Sequence, residues 1–114
     1  MRFFARLAFV ASAAVAANAF TGRATFYTPG LNACGSVSSP DDLIAAVSSS
    51  YFDANKDTIC GTPITVTYQG NSVNVVIMDS CPACTGVHDL DLSPAAFEVL
   101  APLSVGLLNP VTWS

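Results

Sequence analysis

An all-β fold, a small barrel stapled by two disulfides, is what this sequence predicts. Three observations carry that expectation. Short runs that alternate β-branched and polar residues, such as Ile64-Thr-Val-Thr-Tyr68, recur between Gly, Ser and Pro turns. Only one segment shows a full helix-start signal, at Ser93-Pro94. Four cysteines, Cys34, Cys60, Cys81 and Cys84, lie in a chain of 114 residues, and an even count in a small secreted domain reads as a disulfide framework.

Secretion is expected from the first nineteen residues. Met1 to Arg6 form a short basic head, Leu7 to Ala17 an apolar core, and Ala17-Asn-Ala19 a small-x-small cleavage pattern. The apolar run falls short of the roughly 20 residues a membrane-spanning helix needs. Cleavage before Phe20 leaves 20–114 as one domain. Arg2 and Arg6 depart with the leader, so the formal charge moves from −4 to −6, with Arg23 and Lys56 the remaining cations. Such a surface cannot neutralise a phosphate backbone, which excludes nucleic acid and anionic membrane as partners. No Asn-x-Ser/Thr sequon is present, so N-glycosylation is not expected.

Taken in order, Thr21 to Tyr27 alternates small and bulky residues and ends at Thr28-Pro-Gly30, a first strand and its turn. Leu31 to Pro40 is a Gly/Ser-rich loop holding Cys34. Leu43 to Ser48 is too short for its period to separate strand from helix and is read as a strand, followed by a polar loop over Asp53 to Thr58. Ile64 to Tyr68 and Ser72 to Met78 form a hairpin about Gln69-Gly-Asn71. Ser93 to Leu100 is a short helix, and Leu107 to Trp113 closes the chain as an edge strand that tolerates Pro110.

Of the three possible disulfide pairings, Cys34–Cys84 with Cys60–Cys81 is preferred, because a bond within Cys81-Pro-Ala-Cys84 would link nothing distant. Zinc is the rival for four thiolates, but Cys34 and Cys60 lack the paired spacing of a zinc ribbon. No metal or cofactor is expected.

The chemistry concentrates between Val76 and Ser93, which hold Cys81, Cys84, the lone histidine and three of the eight acids. In an extended Asp89-Leu-Asp-Leu-Ser93, Asp89, Asp91 and Ser93 share one face while Leu90 and Leu92 turn to the core. A folded cysteine turn would bring Asp79 towards Asp91, and two nearby carboxylates raise at least one pKa, preparing a proton donor. The alternative is structural: Asp91 satisfies backbone N–H groups at the following helix start, which lowers its pKa. His88 is read as an exposed loop residue, since no Gly-x-Ser-x-Gly or free cysteine offers it a nucleophile. Tyr27, Tyr51, Tyr68 and Trp113 are the exposed-looking aromatics, with Tyr27 and Trp113 the candidates to line a groove.

Ala24-Thr-Phe-Tyr27, Ala33-Cys-Gly35, Cys60-Gly61, Asp79-x-Cys81-x-x-Cys84, Asp89-Leu-Asp-Leu-Ser-Pro-Ala-Ala-Phe97 and the terminal Val-Thr-Trp113 together resemble the expansin-related, RlpA-like double-psi β-barrel family. Single-domain fungal loosenins look most similar. The resemblance spans Phe20 to Trp113 in order and implies a six-stranded double-psi barrel with one or two short helices and a shallow polysaccharide groove. It implies substrate-binding roles for Thr25, Tyr27, Asp79 and Asp91, with Asp91 resembling the general acid of family 45 endoglucanases. Two departures matter. Thr28-Pro29-Gly30 stands where those hydrolases carry a base aspartate, and Cys81 stands where bacterial expansins carry an aromatic.

Inverting hydrolysis needs two carboxyls roughly 6.5–9.5 Å apart, one to donate a proton and one to activate water. The expectation is therefore a secreted monomer that binds cellulose, chitin or a peptidoglycan-like glycan and loosens it without hydrolysis. Ending at Ser114 without an expansin's second, carbohydrate-binding domain, it should hold a single strand weakly. The alternatives are inhibition of papain-like cysteine proteases and glycan cleavage as an endoglucanase or lytic transglycosylase.

Overall fold

The computed structural model describes Ala19–Ser114; the leader assigned to residues 1–19 otherwise lies outside the described residues. The longest pairing in the fold is also the most local. Strand β3 (Thr62–Tyr68) turns into β4 (Asn71–Cys81), with Tyr68 opposite Asn71 and Thr62 opposite Ile77. The turn residues are Gln69 and Gly70, at φ 46° and 86°. Positive φ at both positions matches the right-handed strand twist of a two-residue hairpin. The turn thus sits one residue before the expected Gly-Asn.

Four further strands complete the fold: β1 (Phe20–Phe26), β2 (Ile44–Ser48), β5 (Leu90–Leu92) and β6 (Leu108–Trp113). They close into a six-stranded barrel in the order β1-β5-β2-β4-β3-β6. Closure removes both sheet edges, so β6 is no edge strand: it pairs with β1 and with β3. Pro110 fits because β1 and β6 are out of step between Gly22 and Ala24. Within that bulge the Arg23 N–H donates to Asp89 Oδ1 at 3.0 Å.

Inward residues fill the barrel. Val66, Val75, Ile77, Leu90, Leu92, Leu108 and Val111 are buried, and Phe97 seats α2 (Pro94–Leu100) on the same core. Ser93 caps α2, its Oγ accepting from the Ala96 N–H. A second helix, α1 (Ser49–Ala54), follows β2 and takes the first two residues of the expected Asp53 to Thr58 loop. Ser48 is its N-cap, accepting from the Tyr51 N–H at 3.2 Å. Ser48 both ends β2, as expected, and begins α1, because a hydroxyl that competes with helix interiors stabilises helix starts.

The disulfides are Cys34–Cys60 and Cys81–Cys84, not the preferred pairing. The reason is visible along β4. Gly61 N–H donates to Ile77 O and Cys34 N–H to Met78 O, so the Cys34 and Cys60 segments meet over the same two residues. Cys84 N–H meanwhile closes a turn onto Cys81 O at 3.2 Å, which leaves those two sulfurs facing one another.

The loop each bond closes sets its weight. Cys34–Cys60 spans 26 residues and Cys81–Cys84 spans 3. Replacing both Cys34 and Cys60 with alanine should lower the unfolding free energy by about 3.5 kcal/mol, against about 2 kcal/mol for the Cys81/Cys84 pair. Urea unfolding of the two double variants checks the order.

Candidate functional site

Three strand pairings set one row of side chains across the barrel. Thr25 on β1 is in register with Asp91 on β5, Asp91 with Ala46 on β2, and Ala46 with Asp79 on β4. In-register neighbours project to the same face, so Thr25, Asp91 and Asp79 lie together over Ala46. The two acids stand two strand spacings apart, roughly 10 Å between backbones. Both are half-buried. Leu90 and Leu92, on either side of Asp91, are wholly inside.

A bulge places Asp79 in this row. Ala45 pairs with Ile77 but Ala46 with Asp79, so Met78 is the extra residue. Without that shift Asp79 would follow the inward phase of Val73, Val75 and Ile77. Bulges re-aim side chains in this way.

Asp91 is held by a partner on β1 and Asp79 by the residue just past its end. Thr25 Oγ1 donates to Asp91 Oδ1 at 3.0 Å. Tyr27 OH donates to Asp79 Oδ2 at 2.9 Å, while Asp79 Oδ1 accepts from the N–H groups of Ala33 and Ser80 at 2.8 and 2.9 Å. Asp89 takes the third place beside β1. Its carboxylate accepts from Arg23 N–H, from Gly86 N–H at 2.8 Å, and from the Arg23 guanidinium at 3.3 Å.

Surroundings separate these carboxyls. Burial pushes the Asp91 carboxyl above the ordinary 3.8; the Thr25 hydrogen bond opposes this and the charge of Asp79 adds to it. Burial also acts upward on Asp89, but the Arg23 and Gly86 hydrogen bonds and the Arg23 charge outweigh it, and Asp89 titrates below its ordinary value. Tyr27 is raised by burial first, then by donating to Asp79 and by the charges of Asp79 and Asp91. Asp91 caps no helix; Ser93 does. The structural alternative for Asp91 therefore does not describe it.

A cleft of about 250 Å³ opens beside Asp91, lined by Arg23, Thr25, Asp89, Leu107 and the Cys81–Cys84 pair among others. Cys81 Sγ, without a proton in its disulfide, packs 3.9 Å from Asp91 Oδ2. Tyr27 and Asp79 lie outside this cleft. Among the described residues no group of three or more His, Cys, Asp or Glu is arranged to hold a metal ion.

Other expected residues lie elsewhere. Trp113 is 3% exposed and belongs to the core, its indole N–H donating to His88 O at 2.9 Å. Tyr51 and Tyr68 pack against the core rather than standing free. His88 is half-buried, stacked on Phe20 with ring centroids 4.1 Å apart. An apolar ring pocket captured a histidine that its loop position suggested was exposed. Ser93 is fully buried under its capping role and does not join Asp91. The Arg23–Asp89 clamp and the Ala46 floor were missed. Arg23 lies two residues before Thr25 on the same strand, so strand period alone puts it on the same face; Ala46 carried no signal.

The closed six-stranded barrel, in the order β1-β5-β2-β4-β3-β6, is the architecture of the double-psi β-barrels. The chain belongs to the lytic transglycolase family of RlpA-like double-psi β-barrels, whose model matches residues 19–113. A papain inhibitor of Streptomyces mobaraensis is 40% identical over 99 residues, covering 82% of this chain and 68% of the relative. The solved Streptomyces papain inhibitor superposes with a TM-score of 0.76 at 35% identity, over 86% of this chain and 94% of its own. A mutant Clavibacter michiganensis expansin, solved in complex with cellohexaose, gives a TM-score of 0.73 at 30% identity over 84% of this chain. The present chain spans 49% of that expansin's length.

Opposite pH dependences follow from the two shifts. A raised Asp91 favours folding at low pH, a contribution lost as pH rises through its elevated midpoint. A depressed Asp89 favours folding above its ordinary value, a contribution lost as pH falls. Asp91→Asn should therefore gain stability relative to wild type as pH climbs from 3.8, whereas Asp89→Asn should lose stability at neutral pH. Asp79→Asn should lower the Asp91 midpoint yet leave it above the ordinary value, because burial, the larger cause, remains. Thermal melts across pH and carboxyl-carbon NMR titration check these signs.

Proposed function

We propose that this protein is secreted and that Thr25, Tyr27, Asp79 and Asp91 bind uncharged cell-wall polysaccharide, cellulose or chitin, and loosen it without hydrolysis, in the manner of expansins and loosenins. The observation that carries the reading is the row of Thr25, Asp91 and Asp79 across three strand pairings, with Tyr27 bonded to Asp79. Hydroxyl and carboxyl groups at strand spacing can exchange hydrogen bonds with successive sugar hydroxyls. Such contacts shift polymer chains apart only where a separated or strained chain is held more tightly than a packed one. The similarity to an expansin solved with cellohexaose supports this ligand class.

Hydrolysis asks for more than the row offers. Asp91, with its elevated pKa, suits proton donation. A base is harder to find: both oxygens of Asp79 are engaged by Tyr27, Ala33 and Ser80, and Asp89 is locked by Arg23 and Gly86. By the resemblance, Thr28-Pro29-Gly30 stands where the family's hydrolases carry an aspartate.

A second reading is inhibition of a papain-type cysteine protease. The 40% identity to a papain inhibitor, over two thirds of that relative, favours it. Both functions can reside on one barrel, since a fold does not fix an activity.

Incubation with filter paper and with chitin, followed by mechanical testing and a reducing-end assay in the same tube, tests the first reading. Weakening without released sugar is expected, and Asp91→Asn should lose most of it. Wild-type activity in that variant would remove Asp91 from the binding surface. Stoichiometric reducing ends, or anhydro-sugar products from peptidoglycan, would instead make the protein a glycan-cleaving enzyme. Titration of papain tests the second reading.

A further inference from the structure

A loop between β1 and β2 carries a surface that the polysaccharide reading does not use. Leu31 and Val37 pair as an isolated antiparallel bridge. Around them Asn32 N–H donates to Ser36 O at 2.9 Å and Ser38 N–H to Gly30 O at 2.8 Å. The inside of the loop is polar and filled. Asn32 is 5% exposed; its amide donates to Ser36 Oγ and Ser38 Oγ, and its carbonyl accepts from Cys34 and Ser36 N–H groups, all within 3.1 Å. Gly35, at φ 89°, supplies the left-handed turn residue. Cys34–Cys60 then ties the tip to the next loop.

On the outside stand Leu31 and Val37, each 78% exposed, more than any other large aliphatic among the described residues. Opposed residues of a bridge project on one face, so the two form a single apolar tip. Residues 28–40 contain no charged side chain. Entering an enzyme cleft would therefore strip water from no ion. Neither side chain contributes to the core, yet the loop beneath them is braced as if to hold them out. A pre-ordered loop loses little freedom on binding, and a projecting apolar patch marks a protein contact. Branched aliphatic groups lack the flat face that stacks on a sugar ring; they fill concave apolar pockets.

We infer that residues 28–40 form the element that engages a papain-type cysteine protease, with Leu31 and Val37 entering an apolar pocket of its cleft. This rests on the second reading above and assigns it a surface distinct from the Thr25–Asp91 row.

The test titrates papain activity with wild type, Leu31→Ser/Val37→Ser, the single Leu31→Ala and Val37→Ala variants, and Val99→Ser as an exposed aliphatic control on α2. The double variant should raise the inhibition constant at least tenfold and each single variant part of the way. Melting temperature and polysaccharide pull-down should be unchanged, and Val99→Ser should match wild type. Wild type that fails to inhibit papain overturns both the protease reading and this assignment. Inhibition that persists undiminished in the double variant overturns the assignment alone. So does loss of polysaccharide pull-down in that variant with papain inhibition retained, which would make the tip part of the glycan surface.

Discussion

The three residues of β5 constrain everything on the outer face. Leu90 and Leu92 must both be buried, and a strand that buries alternate residues must expose the one between. Asp91 is that residue. Because β5 pairs in parallel with β1 and antiparallel with β2, it carries Asp91 into register with Thr25 on one side and Ala46 on the other. The hydrophobic effect, acting on two leucines, thus places a carboxyl where neither its own charge nor its solvation would have sent it. Asp89 reinforces the placement from below: its grip on the Arg23 N–H fills the gap that the β1–β6 bulge leaves in the ladder.

The same constraint makes the three acids unequal. Asp89 is surrounded by donors and a guanidinium, so its charge is stabilised and its place is structural. Asp91 is half-buried, receives one hydroxyl and faces a like charge, so its carboxyl titrates above the ordinary value. Asp79 serves as a junction, with Tyr27 on one oxygen and two backbone N–H groups on the other. Three carboxyls close together would repel in water; here one is paired with a guanidinium and N–H donors, one is raised by burial, and one holds neighbouring segments.

Much of this was legible in the sequence because it depends on short-range rules. Alternation in Asp89-Leu-Asp-Leu put Asp91 outward, Ser93-Pro94 announced α2, and the Thr/Val/Tyr runs gave the hairpin. What could not be read depends on contacts between distant segments. The extra residue at Met78 has no local signature, yet it decides which face Asp79 occupies. The cysteine pairing followed from two loops meeting over Ile77 and Met78, which spacing cannot show. Trp113 and Pro110 were misplaced for one reason: the end of the chain closes the barrel, and a terminal strand looks like an edge until its second partner, β3, is known. Helix α1 went unread because serine is equally at home ending one element and capping the next.

Asp79 also joins the two surfaces of the molecule. Through Ala33 N–H it anchors the loop that carries Leu31 and Val37, and it is itself the end of the row that runs through Asp91 to Thr25. The polar face and the apolar tip are therefore not independent decorations on a barrel. They share a hydrogen-bonded hub whose position is fixed by one bulge in β4. The loop is braced twice, by the Asp79 carboxylate on the Ala33 N–H and by the buried Asn32 amide within the loop. One scaffold thereby carries hydroxyls and carboxyls on its face and bare aliphatics at its tip. Which of the two surfaces operates is a question of side chains alone, since the backbone beneath both is the same.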